Sequence, residues 1–334
     1  MNGIYVQTNE PQNRVLAFRR KDDGTLTRLG EYATGGAGDG VPHLTSQGSV
    51  VLTGDGRHLL VTNASSGDVA LFAVGTDGLE LVQTATTGSA PKSVAEQRGL
   101  VYVLNTGEPS LTGYRVGENG LEPIAGSRRK LAANADPAQV SFSPDGSVLV
   151  VTERGTDAVV AYPVGMDGLL GEPQAQPSSG PTPYGFAFAG GTLVVTEAFR
   201  AEVGKAAASS YRVNGGAPAP VTRSVGNGRS EICWAVTTPD GRYAFTTNFA
   251  DGAVSRYAIA ADGSIALEDA VAGVAVEGAT GLRDEDLTSD GAFLYAIDAD
   301  ARRIFGWRVG DGGSLSSIGS WEGVPATVAG LAAS

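Results

Sequence analysis

The chain has 334 residues, 48 of them glycine, with 42% hydrophobic residues, 18% charged residues and a formal net charge of −12. A composition this apolar excludes an intrinsically disordered chain, and the high glycine content is typical of a globular protein with many tight turns. The excess of negative charge excludes a general affinity for nucleic acid or for anionic membranes, because both present phosphate groups that such a chain repels.

The chain begins with the segment MNGIYVQTNEP, which lacks the basic stretch and the apolar stretch of a secretory signal. Nowhere do about 18 uncharged apolar residues follow one another, as a membrane-spanning helix requires. We therefore expect a cytoplasmic protein without a membrane segment.

Seven apolar runs, each leading to a polar residue, recur along the chain. Successive polar residues lie between 42 and 54 positions apart, which fits a repeat of four short strands. The runs are 3–9, 59–63, 100–105, 149–153, 193–197, 243–248 and 293–298, and they end at Asn9, Asn63, Asn105, Glu153, Glu197, Asn248 and Asp298.

Each run is followed by a second strand-like segment and a tight turn. Residues 68–74, for example, alternate between apolar and small or polar side chains and lead to Thr-Asp-Gly at 76–78. Period-two alternation predicts a strand, and the Asp-Gly pair supplies the positive φ of a hairpin turn. Another strand and glycine turn precede the run, as in 140–146. Each repeat therefore predicts a four-stranded antiparallel sheet, with strands a to d from the centre outward.

The two ends of the chain predict how the repeats close. The chain begins at a b strand, whereas residues 323–334 form an a-type strand with nothing after it. Pairing these two strands completes the first sheet and removes exposed sheet edges. The sequence thus predicts an all-β fold, a seven-bladed β-propeller in one domain over residues 1–334, with the C-terminal strand joining the N-terminal blade. An open array of β-sandwiches is the alternative, and it leaves both strands unpaired.

One face of this propeller is expected to carry the function. The b→c and d→a loops emerge there, and they include the long segments 34–42, 197–209 and 269–282. Binding residues usually lie on variable loops that a rigid scaffold holds. We therefore expect a small-molecule substrate or ligand on this face.

The seven polar strand ends offer a first set of candidate groups on this face. A ring of oxygen ligands could hold Ca²⁺ in the central channel, although Asn and Asp at strand ends are also ordinary turn formers. Glu153 and Glu197, in adjacent blades, are candidate catalytic carboxylates because two neighbouring acids can divide the acid and base roles.

His43 is a third candidate, because a histidine at the channel mouth suits a general base; the alternative is a loop histidine in solvent. Cys233 is predicted to be a buried, unreactive thiol beside Trp234. With one cysteine and two histidines, a Cys/His zinc cluster is excluded. The motifs of serine hydrolases, zinc proteases and nucleotide-binding loops are absent from the sequence.

Several motifs resemble those of the seven-bladed lactonase family, which includes 6-phosphogluconolactonases and 3-carboxymuconate cyclases. They are Ser-Pro-Asp-Gly at 143–146, Thr-Pro-Asp-Gly at 238–241, Val-Thr-Asn at 61–63 and the stretch RGTDAVVAY at 154–162. The resemblance covers all seven blades. It implies a channel mouth where histidine, arginine and glutamate open or close the lactone ring of an acidic substrate, such as a sugar acid or a muconate.

Only some of the site residues that the resemblance implies are present in this sequence. Gln139 lies where the family tends to have histidine, and Tyr184 lies in place of a Pro-Arg-His triplet. The glutamate is kept as Glu197, and Asp286 occupies an arginine position. Arg200, Arg229 and Arg283 remain on this face as candidate anion-binding residues, with Gln139 and Tyr184 beside them.

Three functions follow as hypotheses. The first is a lactonase-like enzyme in which Glu197, with Glu153 or His43, activates water. The second is a propeller that binds a small molecule or a protein without chemistry. The third is a Ca²⁺-dependent hydrolase that resembles gluconolactonases.

Overall fold

Seven small antiparallel sheets surround a central channel in the computed structural model, which describes residues 2–42 and 47–334. Each sheet has four strands in sequential order, except that the first takes its innermost strand from the C-terminal end of the chain and the third gains a short fifth strand. The prediction of a seven-bladed β-propeller is therefore confirmed. No helix in the described part of the chain is long and apolar enough to cross a bilayer.

The strands follow one another blade by blade along the chain. Blade 1 contains β1 (Gly3–Gln7), β2 (Arg14–Arg20) and β3 (Leu26–Ala33). Blade 2 contains β4 (Val50–Leu52), β5 (His58–Asn63), β6 (Asp68–Gly75) and β7 (Gly78–Thr86). Blade 3 contains β8 (Pro91–Gln97), β9 (Leu100–Asn105), β10 (Ser110–Gly117), β11 (Gly120–Pro123) and β12 (Arg129–Lys130). Blade 4 contains β13 (Pro137–Phe142), β14 (Val148–Glu153), β15 (Ala158–Pro163) and β16 (Gln174–Pro177).

The remaining blades repeat the pattern. Blade 5 contains β17 (Pro183–Ala189), β18 (Thr192–Glu197), β19 (Ala207–Arg212) and β20 (Ala219–Gly226). Blade 6 contains β21 (Ile232–Thr237), β22 (Tyr243–Asn248), β23 (Ala253–Ile259) and β24 (Ile265–Val274). Blade 7 contains β25 (Leu282–Leu287), β26 (Phe293–Asp298), β27 (Arg303–Val309) and β28 (Leu315–Glu322), and β29 (Ala329–Ala333) follows it. The loop expected at 269–282 is shorter than predicted, because β24 continues to Val274.

The last strand closes the ring. β29 pairs antiparallel with β1, in a register that places Ala333 opposite Ile4 and Ala332 opposite Tyr5. The backbone N–H of Gly3 also donates to the Ser334 hydroxyl at 2.8 Å. The predicted pairing of the two chain ends is confirmed.

The hydrophobic core lies between the blades. Its seven main clusters each combine side chains of two consecutive blades. On β14, Val148 and Val150 pack towards blade 5, whereas Leu149 and Val151 pack towards blade 3. A strand buried on both faces needs apolar residues at successive positions, which is why the b strands stand out in the sequence.

A backbone irregularity recurs where the inner strands of blades 3 to 7 begin. The residue before each strand has a positive φ, and its carbonyl accepts the N–H of the residue that follows the b strand. The residues with positive φ are Ala90, Asp136, Thr182, Glu231 and Gly281. The register then shifts by a bulge that includes Lys92, Ala138, Tyr184, Cys233 and Arg283. Bulges redirect side chains, and those of blades 5, 6 and 7 bring Tyr184, Cys233 and Arg283 to one pocket.

Candidate functional site

A pocket of about 400 Å³ opens on the face of the b→c and d→a loops, between blades 4 and 7. Its lining is rich in arginine and aromatic side chains. The lining residues are Arg154, Thr182, Tyr184, Ala198, Arg200, Ala201, Glu231, Cys233, Trp234, Phe249 and Arg283.

The repeated backbone irregularity supplies most of this lining. Tyr184, Cys233 and Arg283 occupy the bulge of three successive inner strands. Arg154 and Phe249 are the residues that follow the b strands of blades 4 and 6, each held by a backbone hydrogen bond to the residue before the inner strand. The pocket is thus built by the propeller scaffold rather than by an added segment.

Two arginines at the pocket are oriented by aspartates from the loops. The guanidinium of Arg154 lies 2.6 Å from Asp136 and over the ring of Tyr184. The guanidinium of Arg200 lies 2.5 Å from Asp157 and is largely exposed. Such forked donors can bind a carboxylate or phosphate through two parallel hydrogen bonds.

A third arginine, Arg283, lies deepest. Only 1% of its surface is exposed, and its guanidinium lies 5.5 Å from the centre of the Phe249 ring. Burial lowers its pKa to about 10, while the nearby Asp300 and Asp298 act in the opposite direction. Arg283 therefore keeps its positive charge at neutral pH, in surroundings where an anion gains more from it than in water.

Glu231 provides the only carboxyl group among the lining residues that the structure describes. Burial, and to a lesser extent the charge of Asp251, raise its pKa above the usual range of a glutamate. Its backbone has a φ of +53°, as expected from its place in the blade repeat. A carboxyl of this kind beside an arginine-lined cavity is a candidate for proton transfer.

Aromatic side chains form the wall of the pocket. The rings of Tyr184 and Trp234 meet edge to face, with centroids 5.7 Å apart, and Phe249 packs beside them. Burial raises the pKa of both the Cys233 thiol and the Tyr184 hydroxyl. Both groups therefore stay neutral at physiological pH, as the sequence predicted for Cys233.

The segment beside Arg200 adopts an unusual backbone conformation. Phe199, Arg200 and Ala201 have φ values of +47°, +52° and +61°. Successive non-glycine residues in this region cost conformational energy, and such strain concentrates at functional sites. The N–H of Arg200 donates to the Thr182 hydroxyl at 3.1 Å, which ties the segment to the pocket lining.

The two predicted catalytic glutamates lie outside the pocket lining. The carboxylate of the fully buried Glu197 accepts hydrogen bonds from the N–H of Gly180 at 2.8 Å and from the hydroxyls of Ser209 and Ser224 at 2.6 and 2.7 Å. Glu153 accepts a hydrogen bond from Thr156 at 2.7 Å. Burial raises the pKa of both carboxyls. Their positions suit them to hold loops in place, and their catalytic role stays a prediction.

The predicted substrate-binding residues divide between the pocket and other sites. Tyr184, Arg200 and Arg283 line the pocket. Gln139 instead lines the channel, where its amide bonds the N–H and the carbonyl of Phe186 at 2.6 and 3.0 Å. Arg229 lies outside the lining, 3.9 Å from Asp251. His43 falls outside the described residues.

The asparagines at the ends of the b strands make hydrogen bonds to residues of their own blade or of the adjacent blade, rather than to a common partner in the channel. Asn63 donates to Asp68 at 2.6 Å and accepts from Asn13 and Thr34, each at 2.7 Å. Among residues 2–42 and 47–334, no three His, Cys, Asp or Glu side chains form a group that could hold a metal ion. The suggested Ca²⁺ in the channel stays a prediction.

Sequence reasoning did not select Arg154, Glu231, Trp234 and Phe249 as site residues. Their common signal is positional, because each lies next to the start of an inner strand or the end of a b strand. The bulge that turns these positions towards the mouth cannot be recognised from hydrophobic periodicity. The polar strand ends were visible in the sequence, but they face into the blades.

Comparisons with known proteins agree with this architecture. The family described as "Lactonase, 7-bladed beta-propeller" matches residues 2–122, 119–203 and 194–327. No curated protein sequence matches the chain significantly.

Solved structures match over nearly the whole chain. A candidate 6-phosphogluconolactonase from Bacteroides uniformis shares 17% identity over 98% of both chains, with a TM-score of 0.77. A second one, from Bacteroides fragilis, shares 18% identity over 99% of this chain and 97% of its own, with a TM-score of 0.70. The periplasmic gluconolactonase of Pseudomonas aeruginosa shares 17% identity over 98% and 85%, with a TM-score of 0.52. At these identities the likeness concerns the fold.

Proposed function

Because this chain belongs to the seven-bladed β-propeller lactonase family, we propose that it hydrolyses an acidic lactone in the arginine-lined pocket between blades 4 and 7. The observation that carries the proposal is that three arginines and the carboxyl of Glu231 line one cavity with an aromatic wall. The arginines suit a substrate with a carboxylate or phosphate group, and the aromatic wall suits a lactone ring.

In the proposed complex the most buried cation binds the substrate. Arg283 and Arg154 bind the acidic group and stabilise the negative charge that develops on the carbonyl oxygen. Arg200, at the exposed edge, attracts the anion into the pocket. Charge stabilisation of this kind is among the largest contributions to catalysis in water-poor sites.

Glu231 acts as the base in the proposed reaction. Its carboxylate takes a proton from a water molecule while the water oxygen bonds to the lactone carbonyl carbon. The carbon–oxygen bond of the ring then breaks, and the ring oxygen recovers the proton from Glu231, which yields a hydroxy acid. The raised pKa of Glu231 supports this role, because general bases work best when their pKa is near the working pH.

Binding without turnover is the second candidate. It is favoured by Tyr184 and Cys233, which occupy bulge positions at the mouth and whose raised pKa values keep both groups neutral. Neither of these two side chains is a histidine or a charged group that could assist Glu231 in proton transfer.

A panel of lactones tests the proposal. Purified protein is incubated with carboxylated, phosphorylated and neutral lactones, and the release of acid is followed at constant pH. Hydrolysis of an acidic lactone that the variant E231Q loses supports the proposal. Saturable binding of acidic lactones without acid release supports the binding protein instead, and neither binding nor hydrolysis overturns both.

A further inference from the structure

The central channel contains a group of carboxyls that the proposed reaction does not use. Asp284, Glu285 and Asp286 follow one another on β25, and all three line a channel cavity of about 340 Å³. Asp284 is 3% exposed and Glu285 is 2% exposed. Neither carboxyl oxygen of Glu285 has a hydrogen-bond partner within normal hydrogen-bond geometry, although the N–H of Thr247 lies near enough to lower its pKa.

Two of these carboxyls face the strand that closes the ring. The N–H of Ala333 on β29 donates to Asp286 Oδ2 at 2.8 Å, and the N–H of Leu287 donates to Asp286 Oδ1 at 2.9 Å. The N–H of Leu331, also on β29, lies near enough to the Asp284 carboxyl to lower its pKa. The acidic segment of blade 7 thus lies across the seam where β29 completes blade 1.

Among residues 2–42 and 47–334, no cationic side chain lines the cavity in which these acids are buried. The titratable side chains on the strands packed against β25 are Asp298 and Tyr295 on β26, Cys233 on β21 and Tyr243 on β22. The strands β29 and β4 have no titratable side chain. One further acid, Glu96 of β8, lines the same cavity. On β25 itself, Arg283 points to Phe249 and is influenced by Asp298 and Asp300.

Burial and mutual repulsion therefore favour the protonated acids. Burial, followed by the charge of neighbouring acids, raises the pKa of Asp284 and of Glu285 well above their usual values. Burial raises the pKa of Asp286 to about 7, against the two N–H donors that lower it.

We propose that these three carboxyl groups make closure of the propeller ring depend on bound protons. The closed ring keeps protons on Asp284 and Glu285 that an opened seam, with its acids in water, releases. The seam therefore opens more readily as the pH rises through neutrality.

The direction follows from proton linkage. A carboxyl with a raised pKa in the folded protein contributes its stability fully below the unfolded pKa, and that contribution is lost as the pH rises through the folded pKa. The loss begins above about pH 4, the ordinary pKa of a carboxyl in water, and continues through about pH 7, to which burial raises the pKa of Asp286. Each proton released on opening changes the opening equilibrium by up to about tenfold per pH unit.

Hydrogen exchange at the seam tests this inference. Exchange of the N–H groups of Leu331 and Ala333, corrected for intrinsic rates, is measured between pH 6 and pH 8, with amides of β14 as internal reference. We expect opening at β29 to increase by about tenfold or more over this range, while β14 changes less. In E285Q, which keeps the size of the side chain without its proton, the increase becomes smaller. The exposed-site variant E172Q keeps the wild-type response.

Other outcomes overturn it. Opening at β29 that is constant, or that decreases as the pH rises, contradicts the proposal, as does an E285Q response equal to wild type. If E285Q does not fold, D284N is measured in its place under the same criteria. In another outcome, Ca²⁺ reduces the opening at β29 at constant pH, while in EDTA the opening does not respond to pH. That result identifies a cation rather than protons as the bound species and equally overturns the proposal.

Discussion

The guanidinium of Arg154 lies over the ring of Tyr184, 5.0 Å from its centre. Arg154 follows the b strand of blade 4, and Tyr184 occupies the bulge of the next inner strand. The contact therefore joins two blades at the pocket, and Asp136 fixes the other side of the same guanidinium at 2.6 Å. Held from both sides, Arg154 presents its remaining donors to a ligand with little loss of side-chain freedom on binding.

Replacing Arg154 should weaken binding of an acidic substrate. R154Q removes the charge while keeping a polar side chain, and we expect KM for an acidic lactone to rise by about tenfold or more, since a hydrogen bond to a charged group contributes about 1.5–3 kcal/mol. Initial-rate kinetics measure the change. R57Q, at an exposed arginine on the opposite face, is the control and should leave KM unaltered. Equal KM values in wild type and R154Q would remove Arg154 from the binding site.

The two glutamates should respond differently to the same substitution. E231Q removes the proposed base, and we expect kcat to fall by about 100-fold with little change in thermal stability. E197Q disturbs a buried carboxylate that accepts three hydrogen bonds, so we expect a lower Tm and a kcat within a few-fold of wild type. Parallel kinetics and melting curves separate the two. The opposite pattern would restore Glu197 as the catalytic carboxylate.

The pH profile should report the titration of Glu231. Because its pKa is raised, kcat/KM should fall on the acidic side at a pH above the usual range of a glutamate. Asp251 contributes to this shift through its charge, so D251N should move the acidic limb to lower pH. A limb that keeps its position in D251N would show that another group controls the profile.

Cys233 should be unreactive in the folded protein. Burial raises its pKa, and only the thiolate reacts rapidly with alkylating reagents. At pH 7.5 we expect iodoacetamide to modify the native protein at least about tenfold more slowly than the urea-unfolded chain, as measured by mass spectrometry. Equal rates would mean that the pocket exposes the thiol far more than its 8% accessibility indicates.

The fold could be predicted from the sequence because the packing between blades depends on local patterns of apolar residues. On β14 every residue is buried, and its three valines and one leucine pack alternately against blade 5 and blade 3. The pairing of β29 with β1 followed from counting strands in the first and last repeats.

The site was harder to predict because it depends on backbone irregularities. Glu197 and Glu231 are both acids near the functional face, yet the first ends a regular strand and lies inside its blade, whereas the second precedes a bulge and lies at the pocket. Hydrophobic periodicity identifies regular strands and contains no information on bulges. The same limit applies to Arg154, whose place at the pocket depends on the turn after β14.

Discrimination between two matched lactones tests the central claim most directly. The substrates share one lactone ring, and one bears a carboxylate where the other bears the neutral carboxamide. We expect wild-type protein to hydrolyse the carboxylate with a kcat/KM at least about tenfold higher, and we expect this ratio to approach one in the double variant R154Q/R283Q, which lacks both arginines proposed to bind the acidic group. Equal turnover of both lactones by the wild type, or a preference that survives in the double variant, would contradict an arginine-lined site for acidic lactones.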